Sequence, residues 1–395
     1  MQDTPVLSFF AVLSAAERAT LFTDSALRTL QGAFAALPDP RARRGQRYDL
    51  PFLLTCLVGA LLCDCNSLDA VGRWTRDQRA LLARVCGPRR HCTPTGSLYR
   101  RLLPRLSAPH LERALASWVR QTRPRCDREP LALDGKTVRA ARTATQSAPH
   151  LLSFSTHHTQ ETLFQVRVDD KTNEIPIARA VLPFLPVRGR VVTADALHTQ
   201  STLAPCIRAC GGHYLFTVKD DQPRLRAALV AYFNDPRATA RTAQTYDHRR
   251  GQDETRTLHA SSSLNAYLRR YVPFPHLAQI ACVVRRVVTK GKFRGETVYL
   301  ITSLTPRQAD PAALLALIRG HWSIESRHWS RDHTFGEDAS RLRSGAAPQI
   351  MAALRNVVLT LLRRTGATEV ASLRQHFRSL PRKALRLLVP SPRFA

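Results

Sequence analysis

The segment after Pro130 constrains the fold most, because three strand-like apolar runs come first and strands then alternate with helices. Three consecutive strands indicate an antiparallel start. The run RVVTA over 190–194 is unbroken and apolar, as in strands that are buried on both faces. We therefore predict an α/β fold with a mixed sheet and flanking helices, in the order β-β-β-α-β-α-β-α. The predicted segments lie near 131–133, 151–154, 163–168, 174–185, 190–194, 199–210 and 213–218, with a last helix from Pro223.

The remaining segments differ in composition and in the spacing of their apolar residues. Apolar positions recur at helical spacing before residue 125, and Pro51 suits a first helical turn. Polar, strand-prone stretches over 277–289 and 297–304 are joined by GKFRG, which we interpret as a turn. We predict five parts: a helical N-terminal DNA-binding domain (1–125), the first part of the core (126–235), a β-rich insertion (236–305), a helix with the end of the core (306–370) and a basic C-terminal tail (371–395).

Charge indicates the class of partner. The 395 residues hold 59 Lys and Arg against 30 Asp and Glu, a formal net charge of +29. An excess of this size favours a polyanion, and nucleic acid is the natural candidate. An arginine-rich composition without a function is the alternative. The C-terminal tail has amphipathic spacing, so it is predicted either to contact DNA backbone or to pack on the core.

The sequence also excludes some classes and suggests a location. With 44% hydrophobic and 23% charged residues, the chain is globular rather than disordered. Its longest apolar run, PFLLTCLVGALLC, is shorter than the roughly 20 residues of a membrane-spanning helix. The start MQDTPVLSFF lacks the basic lead of a secretory signal. We expect a cytoplasmic, nucleoid-associated protein without a membrane partner.

The stretch TPTGSLYRRLLPRL places cations on a short predicted helix after a Thr-Pro-Gly turn. Arg100 and Arg101 would suit a helix-turn-helix that contacts DNA. A solvated basic helix end is the alternative.

Two acidic residues end predicted strands. Asp134 follows the first strand of the sheet, and Asp195 follows the buried strand. Carboxylates held at strand ends are well placed to share a divalent cation. Either acid alone could equally be a turn residue or a helix cap.

A third acid, Glu325, lies in the helix that Asp310 and Pro311 are predicted to open. Five positions with steps of 3, 4, 3 and 4 form one face: Leu315, Ile318, Trp322, Glu325 and Trp329. A carboxylate on an otherwise apolar face would need a positive partner, which could be an arginine or a metal ion. A metal shared with Asp134 and Asp195 would satisfy all three acids.

Two Asp and one Glu suit Mg²⁺, a hard cation that prefers oxygen. Two such ions can activate a nucleophile and stabilise the leaving oxygen of a phosphodiester. The residues thus predict a basic protein that cuts or joins nucleic acid.

At these residues the chain resembles the DDE transposases of bacterial insertion sequences, in the ISAs-type or H-repeat-associated branch. The resemblance is carried, in family order from Leu37 to about Arg364, by LPDPRARRGQRYDLPFLL, LALDGKTVRAAR, VVTADALHTQ, GGHYLFTVKDDQP, IRGHWSIES and DHTFGEDASRLRSG.

The resemblance implies an RNase H-like catalytic core with a β-rich insertion before the last catalytic helix. It implies that Asp134, Asp195 and Glu325 are catalytic and bind Mg²⁺, in two ions, with Mn²⁺ as a substitute. It implies DNA cleavage and strand transfer at terminal inverted repeats, by a homo-oligomer that synapses two ends. Candidate DNA-binding residues are Lys136, His198, Lys219, His321, Trp322, Arg341, Arg100 and Arg101. The two histidines could instead be structural, and Lys219 a solvated strand-end charge.

Two other functions stay open from the sequence. One is a DNA-binding protein without catalysis, derived from a decayed or domesticated transposase. The other is a nuclease that cuts regardless of terminal sequence.

Overall fold

A computed structural model describes residues 29–86, 93–123, 128–168, 173–249 and 251–389. The chain forms two compact units, each built from separate segments. The first unit comprises Met1–Asp127, Gly135–Asn173 and Glu325–Ala395, and the second comprises Arg128–Asp134 and Glu174–Ile324. The five-part division by sequence stays a prediction.

The first unit is mainly helical around two buried helices, α2 (Leu50–Leu62) and α12 (Ala347–Arg364). Pro51 opens α2 at its first turn, and 12 of its 13 residues are buried because other helices of this unit surround it. The helices are α1 (Leu30–Ala35), α2 (Leu50–Leu62), α3 (Leu68–Asp77), α4 (Arg79–Cys86), α5 (Gly96–Leu102), α6 (Ala108–Thr122), α12 (Ala347–Arg364), α13 (Val370–Ser379) and α14 (Pro381–Arg386).

The basic tail packs on this helical core. Arg374 of α13 is fully buried and donates to the Leu61 carbonyl at 3.0 Å. Its guanidinium also lies 4.1 Å from the centre of the Phe335 ring. Phe377 and Leu385 are buried as well. Of the two alternatives for the tail, packing on the core therefore accounts for its described residues, whereas residues 390–395 lie outside them.

The second unit holds the parallel part of the sheet. Strand β1 (Leu131–Thr137) pairs in parallel with β4 (Val191–Ala194), and β4 pairs in parallel with β5 (His213–Val218). Helices α7 (Glu174–Val181), α8 (Leu203–Ala209) and α9 (Pro223–Asn234) connect these strands to one another and to the insertion. Pro176 lies in the first turn of α7, where proline is tolerated, and Pro183 falls in the short 3₁₀ turn that follows.

In the first unit, β2 (His150–Thr156) and β3 (Thr162–Val168) form an antiparallel hairpin. The nine strands have the order β3-β2-β1-β4-β5-β9-β8-β7-β6. The order β3-β2-β1-β4-β5, with the antiparallel hairpin β2-β3 at one edge and β1, β4 and β5 parallel, agrees with the RNase H-like core that the resemblance implies. The predicted mixed sheet with flanking helices is confirmed.

The β-rich insertion is a pair of hairpins with one short helix. Its elements are β6 (Arg241–Arg249), β7 (Gln252–Ser261), α10 (Asn265–Tyr271), β8 (Gln279–Thr289) and β9 (Lys292–Thr302). The interpretation of GKFRG as a turn is wrong, because β9 begins at Lys292 and pairs with Thr289. The turn is Lys290-Gly291, where both residues have positive φ as a two-residue type I′ hairpin requires.

Candidate active site

The two predicted aspartates are neighbours across the sheet. The last aligned pair of β1 and β4 is Leu133 with Ala194, and Asp134 and Asp195 are the next residue on each chain segment. Aligned residues of adjacent strands lie about 4.8 Å apart and point to the same face. Both acids are half-buried. The prediction that Asp134 ends its strand is wrong, since β1 continues to Thr137 beside β2.

A buried histidine fixes the side chain of Asp195. His198 is almost fully buried, and its Nδ1 lies 2.7 Å from Oδ1 of Asp195. Its Nε2 lies 2.6 Å from Oε2 of Glu174, a buried acid at the start of α7. The imidazole thus joins two carboxylates and holds Asp195 in one orientation.

The charges of this cluster follow from its contacts. Burial alone would lower the pKa of His198, but the hydrogen bonds and charges of Asp195 and Glu174 outweigh it and raise the pKa to about 9. His198 is therefore an imidazolium at neutral pH. Burial raises the pKa of Asp195, but His198 outweighs this effect and the net shift is downward. Asp195 is held as an anion.

A second buried histidine lies under the strand that carries Asp195. Nδ1 of His321 lies 3.0 Å from Oγ1 of Thr193, which also bonds the Leu131 carbonyl at 3.3 Å. Burial lowers the pKa of His321 to about 4, so its ring is neutral. His321 therefore connects helix α11 (Pro311–Trp329) to β4.

Glu325 lies on α11, but the prediction that it belongs to a buried apolar face of that helix is wrong. Leu315 and Ile318 are buried, whereas Glu325 and Trp329 are exposed. Beyond Ile318 the buried positions instead recur every three residues, at 321, 324 and 327. A step of three turns the helix by only 300°, so the buried face drifts by about 60° a step. Burial therefore does not demand a cation at Glu325.

The eight candidate DNA-binding residues divide by exposure. Lys136 is buried and its Nζ lies 2.7 Å from Oδ2 of Asp332, while His198 and His321 are buried in the contacts above. These three side chains position other groups and present no free face to DNA. Trp322 is half-buried against the core of the second unit. The exposed residues are Lys219, Arg341, Arg101 and Arg100, the last ion-paired with Asp69.

The predicted helix with Arg100 and Arg101 is present as α5. Thr95 caps it by accepting from the Leu98 amide at 3.4 Å. The close approach of α3 allows no side chain at Gly72, because a Cβ there would lie 2.6 Å from the Gly96 nitrogen. Helices α3 and α5 therefore pack closely, but α4 lies between them in the sequence, so this pair is not joined by the short turn of a helix-turn-helix.

The donor chemistry suits a hard cation in part. Asp134 and Asp195 supply carboxylate oxygens side by side, as Mg²⁺ prefers, although one oxygen of Asp195 already bonds His198. Within the described ranges, no group of three or more His, Cys, Asp or Glu side chains is close enough to hold a metal ion.

Sequence reasoning missed two residues here. Glu174 was seen only as a helix start, and no local periodicity links it to His198, 24 positions later. Arg327 is buried and donates to Oδ1 of Asn356 at 2.8 Å and to the hydroxyls of Ser155 and Thr162. Nothing in the local sequence indicated that Arg327, two residues after Glu325, would face inward.

Comparison with known families identifies the chain. The profile described as Transposase DDE domain matches residues 125–361, more than half of the sequence. The chain belongs to the Transposase DDE domain family. A second profile, DDE_Tnp_1-associated, matches residues 32–119, in the helical region ahead of the transposase domain.

Relatives of this transposase-family chain include proteins of Escherichia coli (strain K12). It is 26% identical over 349 residues to "H repeat-associated putative transposase YhhI" and equally to "Putative protein YbfL", and each alignment covers 85% of this chain and 90% of the relative. The resemblance to the H-repeat-associated branch is confirmed. Among solved structures, the piggyBac transposase synaptic complex with hairpin DNA matches with 13% identity and a TM-score of 0.44, covering 95% of this chain and 82% of that one.

Membership of this family supports a transposase function. The helices of the described residues include none with the length and apolar character to span a bilayer.

Proposed function

We propose that this protein is a DDE transposase that cleaves DNA and transfers strands at the terminal inverted repeats of an insertion sequence. The observation that carries the proposal is the placement of Asp134 and Asp195 at adjacent positions of two parallel strands, with Asp195 held as an anion by His198. Family membership supports the general activity, and the +29 charge supports DNA as the partner.

In this proposal Asp134, Asp195 and Glu325 hold divalent cations. Mg²⁺, with Mn²⁺ as a substitute, would supply an activated water or 3′-hydroxyl and stabilise the leaving oxygen when bound. The protein's own part is positional. Asp134 and Asp195 present oxygens from a rigid sheet, and His198, braced by Glu174, keeps Asp195 from rotating.

DNA contact is assigned to exposed cations in this proposal. Lys219 follows β5, Arg341 lies in the loop before α12, and Arg101 is exposed on α5. Synapsis of two transposon ends would require a homo-oligomer, and the enzyme would act at the nucleoid.

The test is cleavage of end-containing DNA with Mg²⁺ or Mn²⁺ present. Asp195→Asn should abolish nicking and leave repeat affinity near that of the wild type, because it removes charge and keeps shape. Asp235→Asn is the matched control, since both side chains are similarly exposed, 41% against 47%, and Asp235 only bonds Arg237. Wild-type nicking by Asp195→Asn refutes the assigned role.

The exposure of Glu325 favours a second candidate, a DNA-binding protein without catalysis. It predicts selective binding of the repeat with no nicking by the wild-type chain in either metal. Nicking lost in both Asp195→Asn and Glu325→Gln excludes it. Nicking without preference for the terminal sequence would instead indicate a general nuclease.

A further inference from the structure

The two hairpins of the insertion carry an exposed aromatic face at their turn ends. Successive strands align Tyr246, Thr255, Arg286 and Gly295 in one row, and His248, Asp253, Val288 and Phe293 in the next. Alternate residues of a strand point to opposite faces, so these two rows share one face. We call this face the distal platform.

The platform exposes side chains that normally avoid water. Tyr246 is 64% exposed, Phe293 63% and Val288 41%. One such side chain needs no explanation, whereas three on one face indicate a binding surface.

The Phe293 ring lies flat over the neighbouring part of its own strand. A Cβ on Gly295 would meet that ring at 3.2 Å, so the ring covers the bare glycine. It thereby enters the row of Tyr246 and Arg286. Three strand spacings separate β6 from β9, which places the two rings roughly 14 Å apart with the guanidinium of Arg286 between them.

Two cations accompany the platform. Arg286 lies on the platform and Lys290 lies in the turn at its end; both are exposed, and no ion pair among the described residues includes them. Lys292 and Arg294 alternate with Phe293 and Gly295, so they point to the opposite face. The acid of the platform, Asp253, bonds both Tyr246 and His248. The charge available to a ligand is therefore positive.

We propose that the distal platform binds single-stranded DNA. Bases would stack on Tyr246 and Phe293, and the two cations would contact phosphates, as on other single-strand platforms. Unpaired bases are required because a duplex keeps its base faces stacked inside. The proposal rests on the proposed function in that the substrate is DNA, and it adds a second contact surface that holds a strand freed from the duplex.

The experiment measures fluorescence anisotropy of a labelled single-stranded oligonucleotide and of its duplex, using the full chain without divalent metal. Phe293→Ala and Tyr246→Ala should each weaken single-strand binding by about tenfold and change duplex binding less than twofold. Tyr246→Phe, which keeps the ring and loses the bond to Asp253, should bind like the wild type. Tyr267→Ala removes another exposed ring, on α10, and is the control.

Charge is tested in the same assay. Arg286→Gln should reduce the salt dependence of single-strand binding, by about 0.7 in the slope of log K against log salt. Unchanged single-strand affinity in Phe293→Ala, with its circular dichroism intact, overturns the proposal. Equal losses for duplex and single strand also overturn it, since they indicate a duplex contact. Failure of the proposed function would appear separately, as absent nicking with metal.

Discussion

The orientation of Asp195 depends on Glu174, which acts through His198. Glu174 is buried in the first turn of α7 and contacts the far nitrogen of His198. Without the Glu174 carboxylate, the imidazolium of His198 could rotate. Glu174 therefore controls the orientation of Asp195 through His198. Such outer partners of a ligand commonly matter almost as much as the ligand itself.

Replacing Glu174 by Gln should therefore lower DNA nicking and Mn²⁺ affinity by about 10- to 100-fold, without loss of folding. Single-turnover cleavage and Mn²⁺ titration measure the two effects. Glu296→Gln, at an exposed position of β9, serves as the control. Nicking equal to that of the control would show that His198 is held without Glu174.

A buried acid of the first unit should make its stability depend on pH. Glu112 accepts from Nε2 of Gln165 at 2.6 Å, and Gln165 in turn accepts from Asn356 at 2.8 Å. Burial is the main cause that raises the pKa of Glu112 to about 8, although Gln165 and Gln349 oppose it. The folded state therefore takes up a proton that the unfolded chain releases near pH 4.5.

The free energy of unfolding should accordingly fall as pH rises from about 4.5 to 8, by an amount on the order of a few kcal/mol. Glu112→Gln mimics the protonated acid and should flatten that dependence. Urea unfolding at pH 5 and at pH 8.5 measures it. A variant whose pH dependence equals that of the wild type would contradict the assignment.

At the scale of elements, the connection from α11 to α12 is held by buried charge. A π-helix over Ser330–Thr334 follows α11, and Arg331 within it lies 2.7 Å from Glu337. Arg355 of α12 lies 3.2 Å from the same carboxylate. All three are almost fully buried. Burial raises the pKa of Glu337, but the two guanidinium groups outweigh it and the net pKa is lowered.

Glu337→Gln should destabilise the protein by about 3–5 kcal/mol, because it leaves two buried guanidinium groups without their anion. The neighbouring Asp338 is exposed, so Asp338→Asn should change stability by less than about 0.5 kcal/mol. Chemical unfolding at pH 7 compares them. The difference between the wild type and Glu337→Gln should shrink as pH falls through the lowered pKa of Glu337. Equal stabilities at pH 7 would show that the arginines find other partners.

Local sequence patterns predicted helices and strands, but they did not predict contacts between residues that are far apart in the sequence. The strand over 213–218 and the start of α11 at Pro311 are as predicted, since apolar alternation and the Asp310 cap depend on near neighbours. The sequence indicated Asp134 and Asp195 only as acids at strand ends, and their adjacency depends on the parallel pairing of β1 with β4. The contact of Glu174 with His198, and the drift of the buried face away from Glu325, depend on tertiary packing, which no spacing in the sequence encodes.

At the scale of the whole molecule, the proposed function implies that the charge of +29 would govern the encounter with DNA before any site can act. Many phosphate contacts release counterions, so non-specific affinity should fall by about 10³- to 10⁵-fold between 50 and 200 mM salt if six to ten contacts form. Recognition of a terminal repeat adds contacts to base edges, which salt affects little. The ratio of repeat to random-DNA affinity should therefore change far less than either affinity. Anisotropy titrations of both DNAs across salt concentrations measure it. Binding that ignores salt would mean that the excess charge is a feature of composition and takes no part in DNA contact.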